Sequence, residues 1–143
     1  MAKIKKISKS LDDTYLIGSE ISKKLKKGSI LAFFGSLGSG KTTLIKAIVE
    51  SLEKTSQNIN VNSPTFNYLN IYNLKIPIYH FDLYRIKDKN KFFSFGFEEY
   101  FSKDGICLIE WAENIKDILP LKTHIIKMKH ISETQRELEL INL

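Results

Sequence analysis

"FFGSLGSGKTTLIK", residues 33–46, joins the end of an apolar run to a glycine loop, a lysine, two threonines and the start of a helical pattern. Within it, residues 35–42 match G-x-x-x-x-G-K-[ST] at every fixed position. Glycines let the backbone turn so that successive N–H groups face inward toward phosphate oxygens. A helix beginning at Lys41 aims the positive end of its dipole at the same point. Lys41 is long enough to reach the outer phosphates, and the Thr42 hydroxyl can hold Mg²⁺. The pattern has the context it needs. "SILAFF" before it is apolar on both faces, as a central parallel strand is. After it, Leu44, Ile45, Ile48, Val49 and Leu52 repeat at helical spacing, which predicts a helix from Lys41 to about Leu52.

Upstream, "KIKKI" at 3–7 reads as a short edge strand. Ser10 is a candidate N-cap with Asp13 three residues on, and Leu11, Ile17, Ile21 and Leu25 form an apolar stripe that Gly28 ends. Downstream, residues 59–82 are rich in β-branched and aromatic types and predict two or three strands, the last ending at Asp82. Residues 87–103 are polar with aromatic interruptions and suggest short helices or a flap held by phenylalanines. "ICLIE" is a further apolar strand ending at Glu110, and the patterns on either side of "SETQ" predict a terminal hairpin. Together these predict an α/β fold: one P-loop NTPase-like domain over 1–143, with a mainly parallel central sheet, helices on both faces and antiparallel strands at the edge.

The chain has 143 residues, 43% hydrophobic and 27% charged, within the globular range and large enough for one core. Its formal charge of +6 comes almost entirely from lysines spread along the chain, which reads as solvated surface before nucleic-acid patch. No apolar segment follows the basic start, and "ILAFF" is too short to span a bilayer, so a soluble, unexported protein is expected. One cysteine, Cys107, allows no intrachain disulfide and fits a reducing cytoplasm. His80, His124 and His130 lack zinc-site spacing and read as strand or surface histidines.

Hydrolysis needs more than a phosphate loop. It needs an acid near the metal, at the carboxyl end of a neighbouring strand, and a group that places the attacking water. Asp82 and Glu110 both stand at such ends, and the residues alone leave open which one meets Mg²⁺ and which orients water. Thr65 in "NSPTF" can serve as a sensor of the outer phosphate or belong to an ordinary Ser-Pro turn. Trp111 is a core plug or a partner-facing aromatic, with the core reading preferred.

With these residues in place, "GSLGSGKTT", "NSPTFNYLNIY", "YHFDLYRI", "FGFEEYF", "LIEWAE" and the arginine of "TQRELEL" together resemble the TsaE (YjeE) family, in its order and at its spacing over nearly the whole chain. The resemblance implies a cytoplasmic ATPase that acts with the TsaB and TsaD proteins, which place a threonylcarbamoyl group on an adenosine of certain tRNAs; tRNA is met only through that complex. By position, it implies that ATP is bound by Gly38, Ser39, Gly40, Lys41, Thr42 and Thr43, that Thr42 and Glu110 ligate Mg²⁺, and that Asp82 and Lys41 act in catalysis. Ser10 and Arg136 fall where the family meets the nucleotide away from its phosphates. Ser36, Ser39 and Ala112 depart from the aspartate, alanine and proline usual at those places, none of them a fixed position of the loop.

Two rivals remain on the residues. A small-molecule kinase shares the loop, but such enzymes grip two phosphate-bearing ligands with several arginines, and this chain has only Arg85 and Arg136. A GTP-dependent switch protein lacks its guanine-reading N-K-x-D pattern here.

Overall fold

Apolar runs that alternate with amphipathic segments settle into a sheet with helices on either side, and the computed structural model of the chain has that form. It describes residues 3–36, 38–53, 60–64 and 67–143. The strands are β1 (Lys3–Ser8), β2 (Ile30–Phe34), β3 (Leu69–Tyr72), β4 (Ile78–Asp82), β5 (Ile106–Glu110), β6 (His124–His130) and β7 (Arg136–Ile141). The helices are α1 (Leu11–Ser22), α2 (Lys41–Leu52) and α3 (Lys89–Ser94), with 3₁₀ segments at Phe97–Ser102 and Ala112–Ile118.

These strands form one sheet in the order β1-β7-β6-β2-β5-β4-β3. Its centre, β6-β2-β5-β4, is parallel, while the pairs toward the two edges, β6–β7, β7–β1 and β4–β3, are antiparallel. Every residue of β4 and β5 is buried, which is why they read as continuous apolar runs. Alternate residues feed two cores. Leu31, Phe33, Ile78, Ile106 and Leu108 meet Ile17, Ile21, Leu44 and Ile48 of α1 and α2. Ala32, Phe81, Cys107 and Ile109 meet Phe92, Phe97 and Ile115 on the opposite face.

Local sequence accounts for the helix ends. The Ser10 side chain accepts from the Asp13 N–H at 3.1 Å, and Asp12 and Asp13 lie in the first turn of α1. The predicted stripe of α1 is corrected at its start: Leu11 is 62% exposed and lines an open recess, and the buried face begins at Thr14. α1 crosses α2 closely at Gly18, where a Cβ would stand 2.6 Å from the Ala47 Cβ. The region 59–82 holds two strands among its described residues, β3 and β4. No helix among the described residues is long and apolar enough to cross a membrane.

Candidate functional site

Parallel strands place their carboxyl ends along one rim, and in open α/β sheets that rim is where ligands sit. Here β2 runs into the glycine loop and α2, while β4 and β5 end side by side at Asp82 and Glu110, which are register partners. Gly40 has φ 97° at the N-cap of α2, a left-handed conformation that glycine takes without a Cβ penalty. A cavity of about 520 Å³ opens there, lined by residues 38–43 with Ser63, Asp82, Tyr84, Glu110, Trp111 and Arg136.

The two rim acids of this cavity are already connected to their neighbours. Thr42 Oγ1 donates to Glu110 Oε1 at 2.8 Å. The other carboxylate oxygen, Oε2, lies 2.7 Å from His80 Nε2, and His80 Nδ1 lies 2.9 Å from the Tyr72 hydroxyl. Burial raises the pKa of that phenol above its ordinary value, so Tyr72 remains an O–H group through the neutral range. Asp82 accepts from the Ser63 hydroxyl through Oδ2 and from the Tyr84 N–H through Oδ1 at 2.9 Å. Both acids are almost wholly buried.

Lys41 is also buried, with Nζ donating to the Gly35 carbonyl and, at 3.1 Å, to the Ser36 carbonyl. Its ammonium stands 3.9 Å from the centre of the Trp111 ring. Burial lowers its pKa, and the nearby charges of Glu113, Glu110 and Asp82 oppose that fall. Trp111 reaches this position because its own backbone is left-handed, at φ 58° and ψ 41°, and its ring packs 5.0 Å from Tyr84. The core reading of Trp111 holds in part: the residue is half-buried and packs against the second core, and its ring also covers the lysine.

A second cavity of about 450 Å³ shares Gly40, Thr43 and Arg136 with the first and continues past Ser10, Thr14 and Met128. So Ser10, Thr43 and Arg136, far apart in sequence, line one recess beside the loop. Ser10 serves both as helix cap and as cavity wall. Arg136 Nη1 donates to the Ser132 and Gln135 carbonyls at 2.9 and 3.1 Å, which holds its guanidinium near Gly40. Thr65 and Leu37 lie outside the described residues.

Phosphate and a hard cation suit these groups. Among the described residues outside its chain neighbours, nothing stands within 4 Å of where a Cβ at Gly38 would be, and the buried Ser39 hydroxyl finds no partner. One hydroxyl and two carboxylates are hard oxygen donors of the type Mg²⁺ takes, usually with phosphate oxygens completing its shell. Thr42 and Glu110 could hold the ion, with Asp82 beside them.

Three participants escape sequence reading. His80 looks like a strand histidine and is one, yet it is fully buried against Glu110, and only the register of β4 on β5 reveals that. Ser63, two residues before Thr65, reaches Asp82. Glu113 accepts from the Gly35 N–H at 3.2 Å; its signal was an acid one turn beyond Glu110.

The model of the family "Threonylcarbamoyl adenosine biosynthesis protein TsaE" matches residues 8–138. The chain belongs to the TsaE family. Among members of the TsaE family, the tRNA threonylcarbamoyladenosine biosynthesis protein TsaE of Treponema pallidum is 32% identical over 132 residues, covering 92% of this chain and 96% of the relative. The protein of the same name from Bacillus subtilis is 38% identical over 128 residues, covering 89% and 78%. The crystal structure of Bacillus subtilis YdiB superposes with a TM-score of 0.80 at 30% identity, over 97% of this chain and 84% of that one. The fold is thus shared along nearly the whole chain.

Proposed function

We propose that this protein binds and hydrolyses ATP with Mg²⁺, and that it uses this cycle in the formation of threonylcarbamoyladenosine in tRNA, acting in the cytoplasm with TsaB and TsaD. One observation carries the reading: a loop lysine, a loop threonine and two rim carboxylates surround a single cavity. The relatives' names supply the pathway.

In this reading the N–H groups of residues 38–43 and the Lys41 ammonium hold the phosphates, which replace the loop carbonyls that Lys41 now contacts. The second cavity takes the nucleoside, beside Ser10 and Arg136. A bound Mg²⁺, held by Thr42 and Glu110, supplies charge neutralisation at the outer phosphates. Hydrolysis forms a bond from water oxygen to the γ-phosphorus and breaks the bond to the bridging oxygen, leaving ADP and inorganic phosphate. Asp82 holds the attacking water. Each of its oxygens accepts one hydrogen bond from the protein and keeps a lone pair for the water's proton.

The sole tryptophan lies in the cavity, so its fluorescence reports binding. Lys41→Ala should weaken ATP binding at least about tenfold, the scale of losing a hydrogen bond to a charged group. Asp82→Asn should bind ATP as the wild type does and release almost no phosphate. Normal hydrolysis by Asp82→Asn would show the role assignment to be wrong, and undiminished ATP binding by Lys41→Ala would remove the nucleotide reading itself.

A further inference from the structure

A histidine in the middle of a fully buried strand needs a reason, because a leucine there would pack without requiring partners. His80 lies between Ile78 and Asp82 on the face of β4 that looks toward α2, and it is 0% exposed. Both ring nitrogens are engaged. Nε2 is 2.7 Å from Glu110 Oε2, and Nδ1 is 2.9 Å from the Tyr72 hydroxyl, whose oxygen also lies 3.4 Å from the Asn62 carbonyl. A carboxylate can only accept, so the proton on Nε2 faces Glu110 and the tautomer follows from that contact.

We propose that His80, itself held by Tyr72, is a positioning residue that locks the Glu110 carboxylate in the rotamer able to receive a divalent cation together with Thr42. This rests on the Mg²⁺ reading given above. With Oε2 tied to His80, the opposite oxygen, Oε1, is presented to the Thr42 hydroxyl at 2.8 Å, and the two oxygens stand together before any cation arrives. Without Nε2–H the carboxylate would be free to turn toward the Lys41 ammonium, whose charge it already feels. Two strands beyond Glu110, edge strand β3 thereby takes part in ordering the rim, because Tyr72 is its last residue. Partners of this outer kind typically change metal affinity by about 10- to 100-fold when lost.

The test separates positioning from packing by which nitrogen is replaced. Trp111 fluorescence would be followed with ADP, first in EDTA and then across a Mg²⁺ titration. His80→Gln can return an N–H to the Nε2 position, whereas His80→Asn reaches only the Nδ1 position. The expected result is half-saturating Mg²⁺ raised about tenfold or more in His80→Asn and His80→Leu, within about threefold of wild type in His80→Gln, and metal-free ADP affinity alike in all. Tyr72→Phe, which removes a single oxygen and keeps the ring, should shift the Mg²⁺ dependence in the same direction by about two- to tenfold, and it carries the test if His80→Leu does not fold. Unchanged Mg²⁺ dependence in His80→Asn and Tyr72→Phe, or equal behaviour of the Asn and Gln variants, overturns the inference while leaving nucleotide binding standing. Wild-type protein whose ADP affinity ignores Mg²⁺ would overturn the metal reading, and this inference with it.

Discussion

Glu113 holds the Gly35 N–H and lies close enough to Lys41 to oppose the fall in its pKa, so it is a fixed negative charge beside the site proposed for phosphate. Neutralising it should strengthen binding of a polyanion. Glu113→Gln is expected to tighten ATP binding by up to about fivefold at low salt, less at high salt, since the carboxylate is exposed and screened. A fluorescence titration at two ionic strengths checks both parts. Cys107 offers a different residue-scale outcome. Burial pushes its thiol up to about 12, and its Sγ lies against the Tyr100 carbonyl. At pH 8 a disulfide reagent should label the folded protein very slowly and the denatured protein at once. Fast labelling without denaturant would show that β5 is opened far more often than its burial allows.

Among elements, α1 and α2 depend on one small contact. At Gly18 a side chain would run into Ala47, and the neighbouring backbone of Ile48 leaves it no exit. Gly18→Val should lower stability by about 1–3 kcal/mol through overpacking, read as a lower denaturation midpoint with unchanged slope. Ser10→Ala should cost about 1 kcal/mol by leaving the Asp13 N–H without its cap. That variant also tests the second cavity: weaker ATP binding beyond the stability loss would tie Ser10 to the nucleoside. The aromatic segment divides in a way its spacing did not announce. Phe92 and Phe97 are core, packed edge-on to one another at 5.6 Å, while Phe93 and Phe95 are 42% and 47% exposed.

At the scale of the whole molecule, the chain contains two arginines, and Arg136 is engaged with the turn between β6 and β7. Phosphoryl transfer commonly gains about 10³- to 10⁵-fold from an arginine brought to the transition state. The isolated protein is therefore expected to hydrolyse ATP slowly and to accelerate when TsaB and TsaD are added, as a phosphate-release assay would measure. Equal rates with and without them would remove the case for a site completed by partners. Phe95, 47% exposed and packed on Tyr68, whose carbonyl accepts from the Asp82 N–H, is the residue whose replacement by Ser should weaken that acceleration while leaving the melting temperature nearly unchanged.

Much of this was legible in the residues themselves. The phosphate loop, the helix after it, the central strands and the two rim acids follow from rules that act over a few positions: glycine where the backbone must turn left-handed, 3.6-residue periodicity in α2, and unbroken apolar runs where both faces of a strand are covered. What only the tertiary structure decided depends on register and on backbone direction after a strand ends. One register step sets Asp82 opposite Glu110 and places His80 behind it, and no local pattern encodes that step. A left-handed turn at Trp111 lays one side of the indole over Lys41 as well as against the core, a second role that hydrophobicity alone did not announce. Sequence determines which groups exist and the short elements that carry them. The pairing of distant strands determines which groups touch, because side-chain contacts across a sheet reverse with every single-residue shift.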